Sequence, residues 1–143
     1  MSRTAALLVT AVVAVTALAG CGGDDPYCAA VKEHQAALDT FGEKRTNAGF
    51  AAYAEAVRAI ASTAPDTSKD DWAKLGSVTD GVLTAQKKAG ITLQDMADTD
   101  KVGELDPDDL STLNDAYDTF NGTTKQRTAV VKDVKDVCDI TLK

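Results

Sequence analysis

Two apolar patterns divide this chain. Residues Ala5 to Ala19 carry no charge at all, whereas beyond residue 25 apolar side chains recur at spacings of three and four. The second pattern is that of amphipathic helices, and no run of alternating β-branched residues competes with it. Tyr27, Val31, His34, Leu38 and Phe41 mark a first helix that opens at Pro26, a favoured first-turn residue, and closes at Gly42. Phe50, Tyr53, Val57 and Ile60 mark a second, from about Asn47 to Thr63, with Pro65 beyond it. A third opens on Ser68-Lys69-Asp70-Asp71, where Ser68 is a candidate cap and the acids suit the positive end of the helix dipole. Its stripe is Trp72, Leu75, Val78 or Thr79, Val82, Gln86 and Ala89. Lys87 and Lys88 suit its negative end, and Gly90 suits the left-handed residue that follows.

A short segment from Thr92 to Ala97, pinned by Leu93 and Met96, leads into an acidic loop over residues 98–106. The last helix is capped by Asp106, with Pro107 first and Asp108 and Asp109 in its opening turn. Its apolar phase reads Leu110, Leu113, Tyr117, Phe120, Thr124, Arg127, Val131, Val134 and Cys138 without losing step, which predicts one long helix. Asn121-Gly122 is also a turn signal, so a break there is the alternative. The expected fold is all-α: an antiparallel four-helix bundle with one short extra helix and a long C-terminal helix.

The uncharged N-terminal stretch is shorter than the roughly 20 apolar residues that span a bilayer, and with Arg3 before it, it has the form of a secretory signal. Leu18-Ala19-Gly20-Cys21 matches a lipobox: an aliphatic residue, two small residues, then cysteine. Cleavage is expected between Gly20 and Cys21, with the Cys21 thiol taking a diacylglyceryl unit of palmitate-type chains. Two such chains, at about 0.8 kcal/mol per buried CH₂, suffice for stable attachment. The chain thus divides into a lipoprotein signal peptide (1–20), a lipidated polar tether (21–25) and one helical domain (26–143). It is expected on the extracytoplasmic face of the cell membrane.

Composition changes this picture in two ways. With 15 Lys+Arg against 22 Asp+Glu, the net charge is −7, and one unit more acidic without Arg3, which argues against nucleic acid or anionic lipid headgroups as partners. Aromatic residues make up only 5%, so the core is expected to rely on Ala, Val and Leu. Of three cysteines, Cys21 is consumed by lipid, which leaves Cys28 and Cys138 as an even pair in an exported protein. A disulfide between them is predicted, with a free or metal-binding pair as the alternative. With the lipobox, the Tyr27-Cys28-Ala29-Ala30-Val31-Lys32-Glu33-His34-Gln35 start and the terminal Val137-Cys138 in place, the mature chain resembles small actinobacterial lipoproteins. That resemblance implies the bundle and the bridge, and it implies no activity.

Candidate chemistry is sparse. The segment from Asp98 to Asp109 resembles a calcium loop, with Asp98 and Asp100 at positions one and three, Gly103 at six, Leu105 at eight and Asp109 at twelve; Asp106 adds a carboxylate. Val102 falls where a ligand belongs, Pro107 belongs to a helix start, and Asp109 is shorter than the usual Glu. Capping by Asp106 and the dipole explain the same acids. His34 is the sole histidine and has no partner at helical spacing. The pairs Asp70-Asp71 and Asp108-Asp109 open helices. Tyr27, Tyr53, Trp72 and Tyr117 are expected in the core, although they could line a cleft. No catalytic residues and no cofactor are indicated. The first expectation is a non-enzymatic envelope module that binds another envelope protein or acts as a spacer. The alternative is a carrier of a small apolar or lipid ligand between the helices, with a dry cleft near Ala51, Ala52, Ala54 and Ala56.

Overall fold

A computed structural model describes residues 25–143; the signal, the lipobox and Cys21 lie outside the described residues. Among the described residues six α-helices follow one another: α1 (Pro26–Glu43), α2 (Asn47–Ala61), α3 (Lys69–Ala89), α4 (Thr99–Gly103), α5 (Pro107–Asn121) and α6 (Thr124–Cys138). A 3₁₀ turn, Asp95–Ala97, precedes α4, and no strand occurs among the described residues. α1 packs on α2 and α2 on α3. α3 then carries both α5 and α6, and α6 returns to α1 to close the ring. The bundle is therefore the expected one, built around α3.

Local chemistry accounts for the helix ends. Asp25 caps α1 by accepting from the Tyr27 N–H, with Pro26 in the first turn. The Thr46 side chain caps α2 by accepting from the Gly49 N–H. Gly90 ends α3 at φ 66°, a left-handed conformation that a Cβ would strain. Ser68 precedes α3, but its side chain makes no cap hydrogen bond, because its backbone (φ −127°, ψ −2°) lies outside the β region that capping uses. Its hydroxyl is instead buried, without a hydrogen-bond partner, against the Tyr27 phenol.

The predicted stripes of α1, α2 and α3 face the core. Val31, Val57, Ile60, Trp72 and Val82 are fully buried. On α3 both Val78 and Thr79 are buried, since that helix is covered by α2, α5 and α6. A second, smaller core of Ala85, Ile91 and Leu113 lies under the 91–105 connector, with Met96, Val102 and Leu105 packed against it.

The last helix is not continuous. α5 stops at Asn121 and α6 starts at Thr124, and the ladder is broken by side chains. The Thr123 hydroxyl donates to the Phe120 carbonyl at 2.6 Å, and Arg127 Nη2 donates to the carbonyls of Phe120 and Asn121 at 3.0 and 3.2 Å. Side-chain donors that insert into the ladder kink a helix. The burial pattern departs from the continuous stripe at two positions, while Val134 stays buried in the expected phase. Thr123 and Val130 are buried where the continuous pattern places Thr124 and Val131, and Val131 is 39% exposed.

Two links close the end of the bundle where α1 begins and α6 stops. Cys28 and Cys138 form the predicted disulfide, with Cα atoms 5.3 Å apart. Beside it, Tyr27 Oη accepts from Trp72 Nε1 at 3.0 Å and donates to Asp133 Oδ2 at 2.9 Å, while Thr67 Oγ1 donates to Asp133 Oδ1. This network joins α1, α3, α6 and the α2–α3 loop. Burial is the main cause that pushes the Tyr27 phenol up to about 12.

Closing a loop of 110 residues constrains the unfolded chain by about 4–5 kcal/mol in the chain-entropy model. Reduction should lower the urea midpoint accordingly, and thiol labelling of the unreduced chain should find neither Cys28 nor Cys138. Tyr27→Phe would leave the buried Trp72 N–H unpaired, with an expected loss of about 1–3 kcal/mol in urea unfolding. The folded phenol ionises near 12 and the unfolded one near 10, so its contribution is present below pH 10 and is lost as the pH rises to 12. Melting curves across that range should fall less steeply for Tyr27→Phe than for the native chain.

Candidate functional site

At the other end of α1 the packing leaves a cavity. Phe41, on the last turns of α1, lies 4.8 Å from Tyr53 and 5.1 Å from Phe50 between ring centroids. Phe120, at the end of α5, closes this group edge-on to Phe50 at 5.5 Å. A cavity of about 220 Å³ remains, lined by Leu38, Phe41, Tyr53, Trp72, Leu75, Phe120 and Val130. An engineered apolar cavity of about 150 Å³ is large enough to take up benzene.

The chain after α6 builds one wall. Asp139, at φ 56°, turns the backbone out of the helix. The segment then runs back along α1. Gln35 Nε2 donates to the Thr141 carbonyl, and the Lys143 N–H donates to Asp39 Oδ1 at 2.8 Å. Ile140 and Leu142 pack against the core, and Leu142 lines the cavity. The disulfide at Cys138 fixes where this segment starts.

The mouth is polar and carries cations. Arg45, Arg127 and Lys143 line it, and no Asp or Glu does, in a chain with a net charge of −7. Arg127 is held in place. Its Nε donates to Thr123 Oγ1, its Nη2 to the two carbonyls at the kink, and its guanidinium carbon stands 5.1 Å over the Phe120 ring. Nη1 takes no part in these bonds. Burial pushes the Tyr53 phenol up, and the charge of Arg127 opposes that shift.

Other sequence candidates fall elsewhere. The expected acidic loop is partly helical. Asp98 caps α4 by accepting from the N–H groups of Asp100 and Lys101, and Gly103 is helical rather than at a tight turn. Asp106 caps α5, Asp109 pairs with Lys88 at 2.6 Å, and Val102 packs in the smaller core. The four carboxylates Asp98, Asp100, Asp106 and Asp109 thus serve separate helix ends and an ion pair. Among the described residues no group of three or more His, Cys, Asp or Glu side chains is placed to hold a metal. Nearby, hydrogen bonds from Lys101 and Thr92 hold the Asp95 carboxyl down at about 2. His34 is half-buried on α1 and does not line the cavity.

The cavity is not where the alanines suggested. Ala51 and Ala52 are exposed, and Ala54 and Ala56 are packed without a gap, so the void forms among large rings instead. Tyr53 and Trp72 are both core and lining. Tyr27 belongs to the network at the disulfide end, and Tyr117 accepts from Gln86 Nε2. Sequence reasoning missed Arg45, Leu142 and the part played by Arg127. For Arg127 a signal existed: an arginine on an apolar stripe, four residues after the buried Thr123, has to bond something.

Calorimetric titration with millimolar Ca²⁺ is expected to give no binding heat and no shift in melting temperature, since the acids of residues 98–109 are engaged separately. A saturable heat with stabilisation would contradict this geometry. Comparison of the chain with protein-family models, with curated proteins and with solved structures finds no match.

Proposed function

We propose that this chain is a lipid-anchored protein of the extracytoplasmic membrane face that holds a small apolar ligand between its helices, in a binding rather than a catalytic role. The cavity carries this reading: about 220 Å³ of aromatic-lined space that reaches from the core to the surface. A simple spacer or a purely surface-binding module has no use for such a void, which forfeits packing contacts. Pockets between bundle helices are common ligand sites.

The anchor supports the same reading through position. Cys21 lies shortly before Pro26, so the lipid would hold the end of the bundle with the disulfide towards the membrane. Between Pro26 and Gly42 α1 rises about 24 Å, so with an anchor at Cys21 the cavity mouth would stand on the side away from the lipid.

Native mass spectrometry of the protein purified from its own host is expected to show a small molecule released on unfolding, and repeated recovery of empty protein would remove the ligand-holding reading. The anchor is tested separately. Cys21→Ser should move the protein from the membrane fraction to the soluble extracytoplasmic fraction, and retention in the membrane would show that attachment does not depend on the lipobox cysteine.

A further inference from the structure

We propose that the cavity takes an anionic amphiphile, a small monocarboxylate whose apolar body fills the aromatic space and whose carboxylate is held at the mouth by Arg127 and Arg45. The inference rests on the ligand-holding reading and adds the chemical class.

Charge complementarity carries it. The chain is acidic, with 22 Asp+Glu against 15 Lys+Arg, yet none of the acids lines this cavity. Among the described residues, neither Arg45 nor Arg127 forms a salt bridge. Lys143 is set aside, because it has Glu43 at 3.8 Å. Arg127 is the stronger element of the site. Three of its hydrogen bonds and the Phe120 ring fix the plane of the guanidinium, while Nη1 keeps its donors for a ligand. A fixed guanidinium loses little freedom on binding, and its planar donors match a carboxylate. Arg45 is exposed on the α1–α2 loop and lines the same cavity, so its charge is free to meet the headgroup there. The body of the ligand is limited by the volume to about one aromatic ring with a short chain, or an aliphatic chain of similar size. Trp72 is the sole tryptophan, is fully buried and lines the cavity, so its fluorescence reports occupancy.

The test uses the chain exported behind a non-lipoprotein signal with Cys21→Ser, so that neither lipid nor detergent competes. Its probes are 4-phenylbutyrate and the neutral 4-phenylbutanamide, titrated against Trp72 fluorescence and by calorimetry. The carboxylate is expected to bind about ten- to a hundredfold tighter than the amide, the range of a hydrogen bond to a charged group. In Arg45→Gln and in Arg127→Gln the ratio of carboxylate to amide affinity should fall most of the way to one, and Arg127→Lys should restore part of it. Equal affinity for the two probes, or a preference that survives in both glutamine variants, overturns the carboxylate assignment and leaves the cavity as a site for neutral ligands. Failure of both probes to bind overturns the ligand-holding reading with it.

Discussion

The insertion of Arg127 into the backbone at residues 120–123 is the interaction on which the distal half of this bundle depends. A continuous helix would satisfy the carbonyls of Phe120 and Asn121 with amides four residues on; here a guanidinium and the Thr123 hydroxyl do so. The kink allows α5 and α6 both to lie on α3. At and beyond it two positions depart from the expected stripe, with Thr123 and Val130 buried and Val131 at the surface, while Val134 keeps its phase. Finally, the kink turns Phe120 edge-on to Phe50 and sets a cation over its face. One polar side chain on an apolar stripe thereby shapes the helix, the core and the mouth of the cavity together.

The opposite end of the bundle is built on a different principle. There the disulfide and the Tyr27–Trp72–Asp133 network tie the start of α1 to the start of α3 and the end of α6. Polar groups buried in that network are satisfied, apart from the Ser68 hydroxyl, and the fit is close. A cross-link at one end and open space at the other suit the tethered binding role that we propose. The segment after Cys138 connects the two, since it starts at the bridge and ends as a wall of the cavity.

Much of this fold was legible in the residues. Stripes with three-and-four spacing placed α1, α2 and α3 to within about two residues, because burial of one helical face leaves a periodic trace. The cysteine pairing followed from compartment and count. Capping by Asp106 and the left-handed Gly90 were readable because both are local, depending on a few neighbouring atoms. The unbroken C-terminal helix was the misreading. Its periodicity stayed plausible because Leu113, Phe120 and Val134 are buried as a continuous stripe would have them, and Val130 for Val131 and Thr123 for Thr124 exchange like for like. The acidic segment was read as a loop because its aspartates suit a loop and a helix cap equally well.

By itself, then, the sequence determined an all-α bundle, the partner of each cysteine in the domain and the residues that face inward along three helices. These depend on periodicity, compartment and local hydrogen bonding. Only the tertiary structure decided that α3 is the shared partner, that Arg127 breaks the last helix, and that a cavity remains among Phe41, Tyr53 and Phe120 under two arginines. The physical reason is that a void is a property of how side chains from α1, α2, α3, α5 and α6 meet. It leaves no periodic mark on any one of them.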